Sequence, residues 1–444
     1  MSINSYVDAL AYFYSYARFN RAGAANRGLE RMRGLLARLG DPQKNFPSLL
    51  IAGTKGKGST AAICESILRA AGYKTGLFTS PHLHSFRERI RLGGELIAEK
   101  TLVDLAKRLK PYFEDIPGLT FFELITAIAL MVFAEAEIDA AVLEVGIGGR
   151  LDATNTVDPT VAVITSISYD HTQILGESLT LIAREKAGII RPGALVISAL
   201  QFDEAMQMIE QVCKHYQACL VWVGRDWNWT ISSCDGLEGQ GFTTNGNTYW
   251  LPLLGQHQVV NAVTALAAID GFGQRSGFEV PPTTLQTGMA KVKWPGRLEI
   301  LSRQPYLVLD GAMNGDSAQK LVQALTHYFP AEKKIFIFGA SNDHPIRDML
   351  AVLLPVADQM YVVASCHPRA ETPERLAAIA EEMEGRIIPM PGLSIALERA
   401  VAEAGQDGLI CVTGSLFLVA DARQVWLQRS GLSLPPIDPA VISV

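Results

Sequence analysis

At 444 residues the chain exceeds what a single hydrophobic core usually serves, so two domains are expected, and 48% apolar with 19% charged residues describes an ordinary globular protein. A formal net charge of −6 and the lack of any basic tract exclude nucleic-acid or membrane-surface binding that rests on bulk charge. Six scattered cysteines, Cys64, Cys213, Cys219, Cys234, Cys366 and Cys411, form no CxxC pair or His/Cys cluster, so neither a zinc site nor a disulfide framework is suggested and reduced thiols in a cytosol fit best.

In chain order, residues 1–18 lack a basic start followed by an apolar core, so no export signal is expected, and the longest strongly apolar stretch, 124–134, is too short to cross a bilayer. Leu29, Met32, Leu35, Leu36 and Leu39 recur at helical intervals, and Gly40-Asp41-Pro42 ends that helix. A short apolar strand, 48–52, follows. Next come a glycine-rich turn and a helix over 59–71 that Gly72 stops. Strands at 75–79, 140–145 and 161–165 alternate with helices near 102–109 and 122–136. Strands so continuously apolar belong to a parallel sheet covered on both faces.

Between 226 and 254 short alternating runs rich in Trp, Thr, Ser and Gly predict an antiparallel addition at the sheet edge. An Ala-rich helix over 259–270 resumes the pattern. Lys293-Trp294-Pro295-Gly296-Arg297 reads as a linker, which divides the chain into domains 1–295 and 296–444. Strands at 306–310, 334–338, 359–363 and 408–412 then alternate with helices at 317–328, 346–354, 373–382 and 395–404. The fold class is α/β, two doubly wound, mostly parallel domains, the second smaller and Rossmann-like.

Gly53-Thr54-Lys55-Gly56-Lys57-Gly58-Ser59 lies between a strand and a helix, which suits a phosphate cradle: glycines let backbone N–H groups turn toward an anion, the helix N-terminus adds partial positive charge, and Lys57 reaches outer phosphates. The spacing departs from the general P-loop, since Ile51 stands where its first glycine belongs and Gly58 intervenes before Ser59. Glu144 ends an apolar strand before a glycine loop, at the edge where open parallel sheets bind ligands, and is placed to hold Mg²⁺ against a nucleotide. Ser80 falls at the same edge and could complete a metal shell of oxygens. His171 reads either as a second metal ligand, as a phosphate contact or as a structural residue. Lys186, closing a helix, reads as a solvated helix end or a functional cation, and the residues alone favour the solvated form. His82 and His84 read equally well as loop residues satisfied by backbone.

Taken in order, GTKGKGS (53–59), TSPHLHSFRERI (79–90), EVGIGGRLDATN (144–155), DHTQILG (170–176), EKAGI (185–189), GQHQVVNA (255–262), WPGRLE (294–299), DGAMN (310–314), HPRA (367–370) and TGSLFLVADAR (413–423) resemble the folylpolyglutamate synthase and dihydrofolate synthase family of the Mur ligase superfamily. Lys55, where bacterial members commonly carry asparagine, looks like the eukaryotic form of the motif. The resemblance implies a cytoplasmic, commonly monomeric, ATP-dependent amide ligase. It activates a folate or pteroate carboxylate as an acyl phosphate, which L-glutamate then attacks.

By the same resemblance, Lys57 and the backbone of 54–59 hold phosphate, Ser80, Glu144 and His171 match Mg²⁺ positions, and Lys186 matches a carbamylated lysine that helps hold a second Mg²⁺. Asn261, Arg297 and Asp310 match nucleotide-binding positions, and Ser415 lies on the glutamate side. Met313 replaces a usual histidine there, Gly315 a frequent proline, and Ser341-Asn342-Asp343-His344-Pro345 departs from the usual SSDKD. Those departures leave open a related ligase with another acceptor or amino acid, or a catalytically silent ATP-binding homologue.

Overall fold

The protein is represented by a computed structural model that describes residues 2–19, 28–233, 236–330 and 333–439. The first domain carries strands β1 (Ser48–Ala52), β2 (Thr75–Phe78), β3 (Ile90–Leu92), β4 (Glu95–Leu96), β5 (Ala140–Glu144), β6 (Val161–Ile164), β7 (Leu195–Ser198) and β8 (Cys219–Trp222). They form one sheet in the order β4-β3-β2-β5-β1-β6-β7-β8, parallel except at the β3–β4 edge. All five residues of β1 are buried because alternate side chains enter different cores. Leu50 and Ala52 face the helices Tyr6–Phe19, Leu29–Arg38 and Phe121–Glu135, whereas Leu49 and Ile51 face Lys57–Ala70 and Gln256–Ser276.

Strands β9 (Trp229–Ser233), β10 (Gln240–Thr244) and β11 (Asn247–Leu251) are antiparallel, as their alternation predicts, but they form a separate three-stranded sheet instead of extending the main one. Their apolar face decides this. Phe242, Tyr249 and Leu251 are buried in the core of the Gln256–Ser276 helix, so side-chain packing and not edge pairing attaches them. Cys234 lies outside the described residues.

A second sheet comprises β12 (Glu299–Arg303), β13 (Tyr306–Leu309), β14 (Lys334–Phe338), β15 (Gln359–Val362), β16 (Ile388–Pro389) and β17 (Leu409–Thr413), in the order β12-β13-β17-β14-β15-β16. Only β12 runs antiparallel. Phe336 and Phe338 face one core and Ile335 and Ile337 the other, so this sheet too is covered on both faces. The helix Leu416–Arg429, absent from the sequence reading, follows β17 with Ser415 as its N-cap. Its Leu418, Val419 and Ala422 are buried in the same core as Ile335 and Ile337.

Candidate active site

Four loops meet at the carboxyl edge of the first sheet because β2, β5, β1 and β6 are parallel neighbours. After β1 the chain turns through Gly53 (φ +145°) and Gly56 (φ +89°), conformations that strain any side chain. A Cβ on Gly53 would stand 1.9 Å from Thr165 Oγ1, and one on Gly56 2.1 Å from Asn261 Oδ1. The Thr54 and Lys55 N–H groups both donate to the Ser166 carbonyl at 3.0 Å, and the Thr54 hydroxyl donates to that of Ser168 at 3.1 Å. The helix Lys57–Ala70 starts after Gly56, with Gly58 and Ser59 in its first turn, whose N–H groups are the usual anion ligands of such a loop.

Three lysines surround this turn. Lys57 Nζ donates to the Gly53 carbonyl at 3.2 Å, Lys186 Nζ donates to the same oxygen at 2.8 Å, and Lys55 pairs with Asp170 at 3.1 Å. The expectation of a solvated Lys186 fails: the residue is 3% exposed. The helix Leu179–Ala187 ends against the glycine loop after β5, where a Cβ on Gly149 would lie 2.9 Å from the Lys186 carbonyl. Burial, then Lys57, pushes the Lys186 ammonium well below the ordinary lysine range. Burial also lowers Lys55, against the pull of Asp170. Burial alone would raise the Asp170 carboxyl, but Lys55, His171 and Lys57 bring it below its ordinary value.

Glu144 ends β5 buried, and its Oε2 accepts the Ser80 N–H at 3.0 Å. Burial raises its carboxyl, with Lys57 and that N–H opposing. His171 follows β6 at φ +49°, 3.9 Å from Asp170, with 46% of its side chain open to solvent. Burial on its inner side, and then Lys57, Lys186 and Lys55 against Asp170, lower its imidazole. The structure thus joins Ser80 directly to Glu144, and sets His171 with the lysine group. Among the described residues no three His, Cys, Asp or Glu side chains gather into a metal cluster. The donor set still suits Mg²⁺, which takes one or two protein carboxylates and draws its other oxygens from phosphate and water.

The linker and second domain reach the same crevice. Asn261 donates to Gln258 Oε1 at 3.0 Å, which leaves its Oδ1 against Gly56. Trp294 packs on Gly58, where a Cβ would lie 2.9 Å from the indole, and the Arg91 guanidinium sits 5.8 Å over its ring. Arg297 is drawn by Asp310 and Glu144 but held below its usual value by burial. Asp310 accepts the Leu298 and Ala312 N–H groups, both at 2.9 Å. Ser415 Oγ accepts the Phe417 N–H at 3.1 Å. The Met313 N–H donates to Ser317 Oγ at 3.0 Å, and Asn314 Nδ2 donates to the Tyr169 carbonyl at 3.3 Å across the domains.

Several partners escaped the sequence reading. Asp170 as the counter-ion of Lys55, Trp294 as the wall of Gly58 and Gln258 as the support of Asn261 carry no local signal, since each pair is far apart in the chain or buried in a helix. His82 and His84 find arginines and not backbone: Arg89 Nε donates to His82 Nδ1 at 2.8 Å, and Arg423 Nη1 lies 3.3 Å from His84 Nε2.

The Mur ligase middle domain matches residues 51–269, and the Mur ligase, glutamate ligase domain matches residues 296–416. The chain is 32% identical over 437 residues to the dihydrofolate synthase/folylpolyglutamate synthase of Bacillus subtilis, with 95% of this chain and 99% of that protein covered. It is 36% identical over 411 residues to a probable bifunctional folylpolyglutamate synthase/dihydropteroate synthase of Halobacterium salinarum; the match covers 90% of this chain and spans half the length of that relative. Escherichia coli FolC, solved in complex with DHPP and ADP, superposes with a TM-score of 0.86 at 34% identity, over 97% of this chain and 99% of that one. With both domains matched and a full-length relative aligned end to end, the chain belongs to the dihydrofolate synthase/folylpolyglutamate synthase family of Mur ligases.

Proposed function

We propose that this chain is an ATP-dependent ligase that phosphorylates a folate or pteroate carboxylate and joins the acyl phosphate to the amino group of L-glutamate. The observation that carries this reading is the Gly53 carbonyl shared by Lys57 and Lys186, on a turn whose neighbouring strand ends in Glu144. The Lys57 ammonium, Lys55 paired with Asp170 and a helix N-terminus gather positive charge at this turn, suited to a triphosphate and to charge developing on a transferred phosphoryl group.

Glu144, Ser80 and His171 would hold Mg²⁺, which when bound neutralises phosphate charge. Lys57 bridges toward the outer phosphates, while Thr54 and the Gly56–Ser59 N–H groups orient them. Asn261, Arg297 and Asp310 form the nucleotide wall, and Met313 and Ser415 face the amine side. Lys186 is the carbamylation site: carbon dioxide reacts with a free amine, and burial beside Lys57 favours that form. We take 294–297 as the hinge that closes domains 1–295 and 296–444 over the acyl phosphate and excludes water. The expected form is a cytoplasmic monomer. Five cysteines are free thiols and, among the described residues, no helix is long and apolar enough to cross a membrane.

Met313 supports a second reading, in which the amine is another amino acid, because a thioether offers only a weak acceptor where the family carries an imidazole. Phosphate release measured with ATP, dihydropteroate or tetrahydrofolate and a panel of amino acids separates the two. Pterin-dependent release with glutamate is expected, and Lys57→Ala should lower it by at least about 10²-fold. Absence of stimulation by any pterin would sink the first reading.

A further inference from the structure

In the second sheet β17 lies between β13 and β14, and all three run parallel. Neighbouring strands are about 4.8 Å apart, so their following loops, which carry Gly414-Ser415, Met313 and His344, emerge side by side with the β17 turn in the middle. His344 Nδ1 lies 3.2 Å from the Gly414 carbonyl. A carbonyl only accepts, so the proton sits on Nδ1 and the lone pair on Nε2. Nε2 makes no hydrogen bond among the described residues, yet it is not among the buried unpaired atoms, so it remains reachable. The ring is partly buried. It feels Asp343 and Arg369 of its own domain and, across the cleft, Asp170, the partner of Lys55 on the phosphate turn. One imidazole nitrogen with a free lone pair therefore stands between the loop of Ser415 and the loop of the phosphate-binding lysines.

We propose that His344 is the base that deprotonates the incoming amino group, in place of the histidine that Met313 lacks. This inference rests on the ligase reading. The amino acid arrives as an ammonium and must lose a proton before its lone pair can attack. His344 Nε2 takes that proton. The C–N bond then forms, the C–O bond to phosphorus breaks, and phosphate leaves with the bonding pair. The second nitrogen proton, lost as the amide forms, goes to the departing phosphate, and the imidazolium returns its proton to solvent.

Hydroxylamine separates this role from a structural one, because it is uncharged at neutral pH and captures an acyl phosphate without a base. The full-length chain, with ATP, Mg²⁺ and the pterin acceptor, is assayed for phosphate release with L-glutamate and for hydroxamate with hydroxylamine. His344→Asn keeps an N–H at the Nδ1 position to bond Gly414 and removes the Nε2 lone pair. Glutamate-dependent kcat is expected to fall about 10²- to 10⁴-fold while hydroxamate formation holds the wild-type rate, which also shows that the variant is folded. Adding Met313→His to His344→Asn is expected to recover part of the glutamate rate. Unchanged glutamate turnover in His344→Asn, or an equal fall in both rates, would overturn the assignment. A wild-type protein that makes neither product overturns the ligase reading instead.

Discussion

Lys186 shows how far burial can carry a single side chain from its ordinary chemistry. It is enclosed beneath the turn at Gly53 with its Nζ 2.8 Å from the Gly53 carbonyl, and among the described residues no carboxylate is hydrogen-bonded to it. A lysine whose pKa is depressed on folding makes the folded state bind fewer protons than the unfolded one, so the penalty it imposes is full at low pH and fades as pH rises toward the ordinary lysine value. Lys186→Met should therefore raise the thermal midpoint of the ligand-free protein at pH 7 by roughly 2–4 °C, with the gain shrinking near about pH 10. The same variant should lose turnover by at least about 10²-fold. Scanning calorimetry at the two pH values checks the sign; a midpoint that falls at pH 7 would mean that the amine stabilises the fold.

Among helices, the approach of 282–290 to the phosphate helix is set by one missing side chain. A Cβ on Gly288 would lie 2.5 Å from Ile67 Cα, and Ser66 Oγ donates to the Gly288 carbonyl at 2.7 Å. Gly288→Val must push the helix Lys57–Ala70 from its seat. That should cost about 1–3 kcal/mol in urea unfolding and, if the first turn of that helix cradles the nucleotide as proposed, raise KM for ATP. Gly34 is the control, exposed in the helix Leu29–Arg38 with no atom within 4 Å of an added Cβ. Gly34→Ala should stabilise by about 0.5–1 kcal/mol by helix propensity alone.

At the scale of the whole molecule, the chain end ties the two domains together. After the helix Leu416–Arg429 the tail runs without regular structure back to the first domain, where the Asp438 carboxylate accepts hydrogen bonds from Tyr6 OH at 2.8 Å, Ser85 Oγ at 2.8 Å and the Phe86 N–H at 2.7 Å. Its own N–H donates to the His84 carbonyl at 3.2 Å. The strap thus holds the loop that begins at Ser80, which Glu88 supports from within by accepting the N–H groups of Leu83, His84 and Ser85. Asp438→Ala should cost about 1–3 kcal/mol and speed amide exchange at Phe86, while Lys57–Ala70 exchanges as before. Unaltered exchange at Phe86 would show that the tail does not grip this loop in solution.

Local pattern was enough for the α/β class, for most strands and helices, and for the glycine turn ahead of the helix Lys57–Ala70, because hydrophobic period and glycine placement act over a few residues. The motifs at Gly53–Ser59, Ser80 and Glu144 stood out since each interrupts such a period at a strand end. Tertiary structure alone decided that Lys186 is buried, that Lys55 meets Asp170, that 229–251 forms its own sheet, and that Gly288 is a contact whereas Gly34 is not. Each of those outcomes depends on what another part of the chain brings within a few ångströms, and neither charge nor side-chain size at a position carries that information before the sheets assemble.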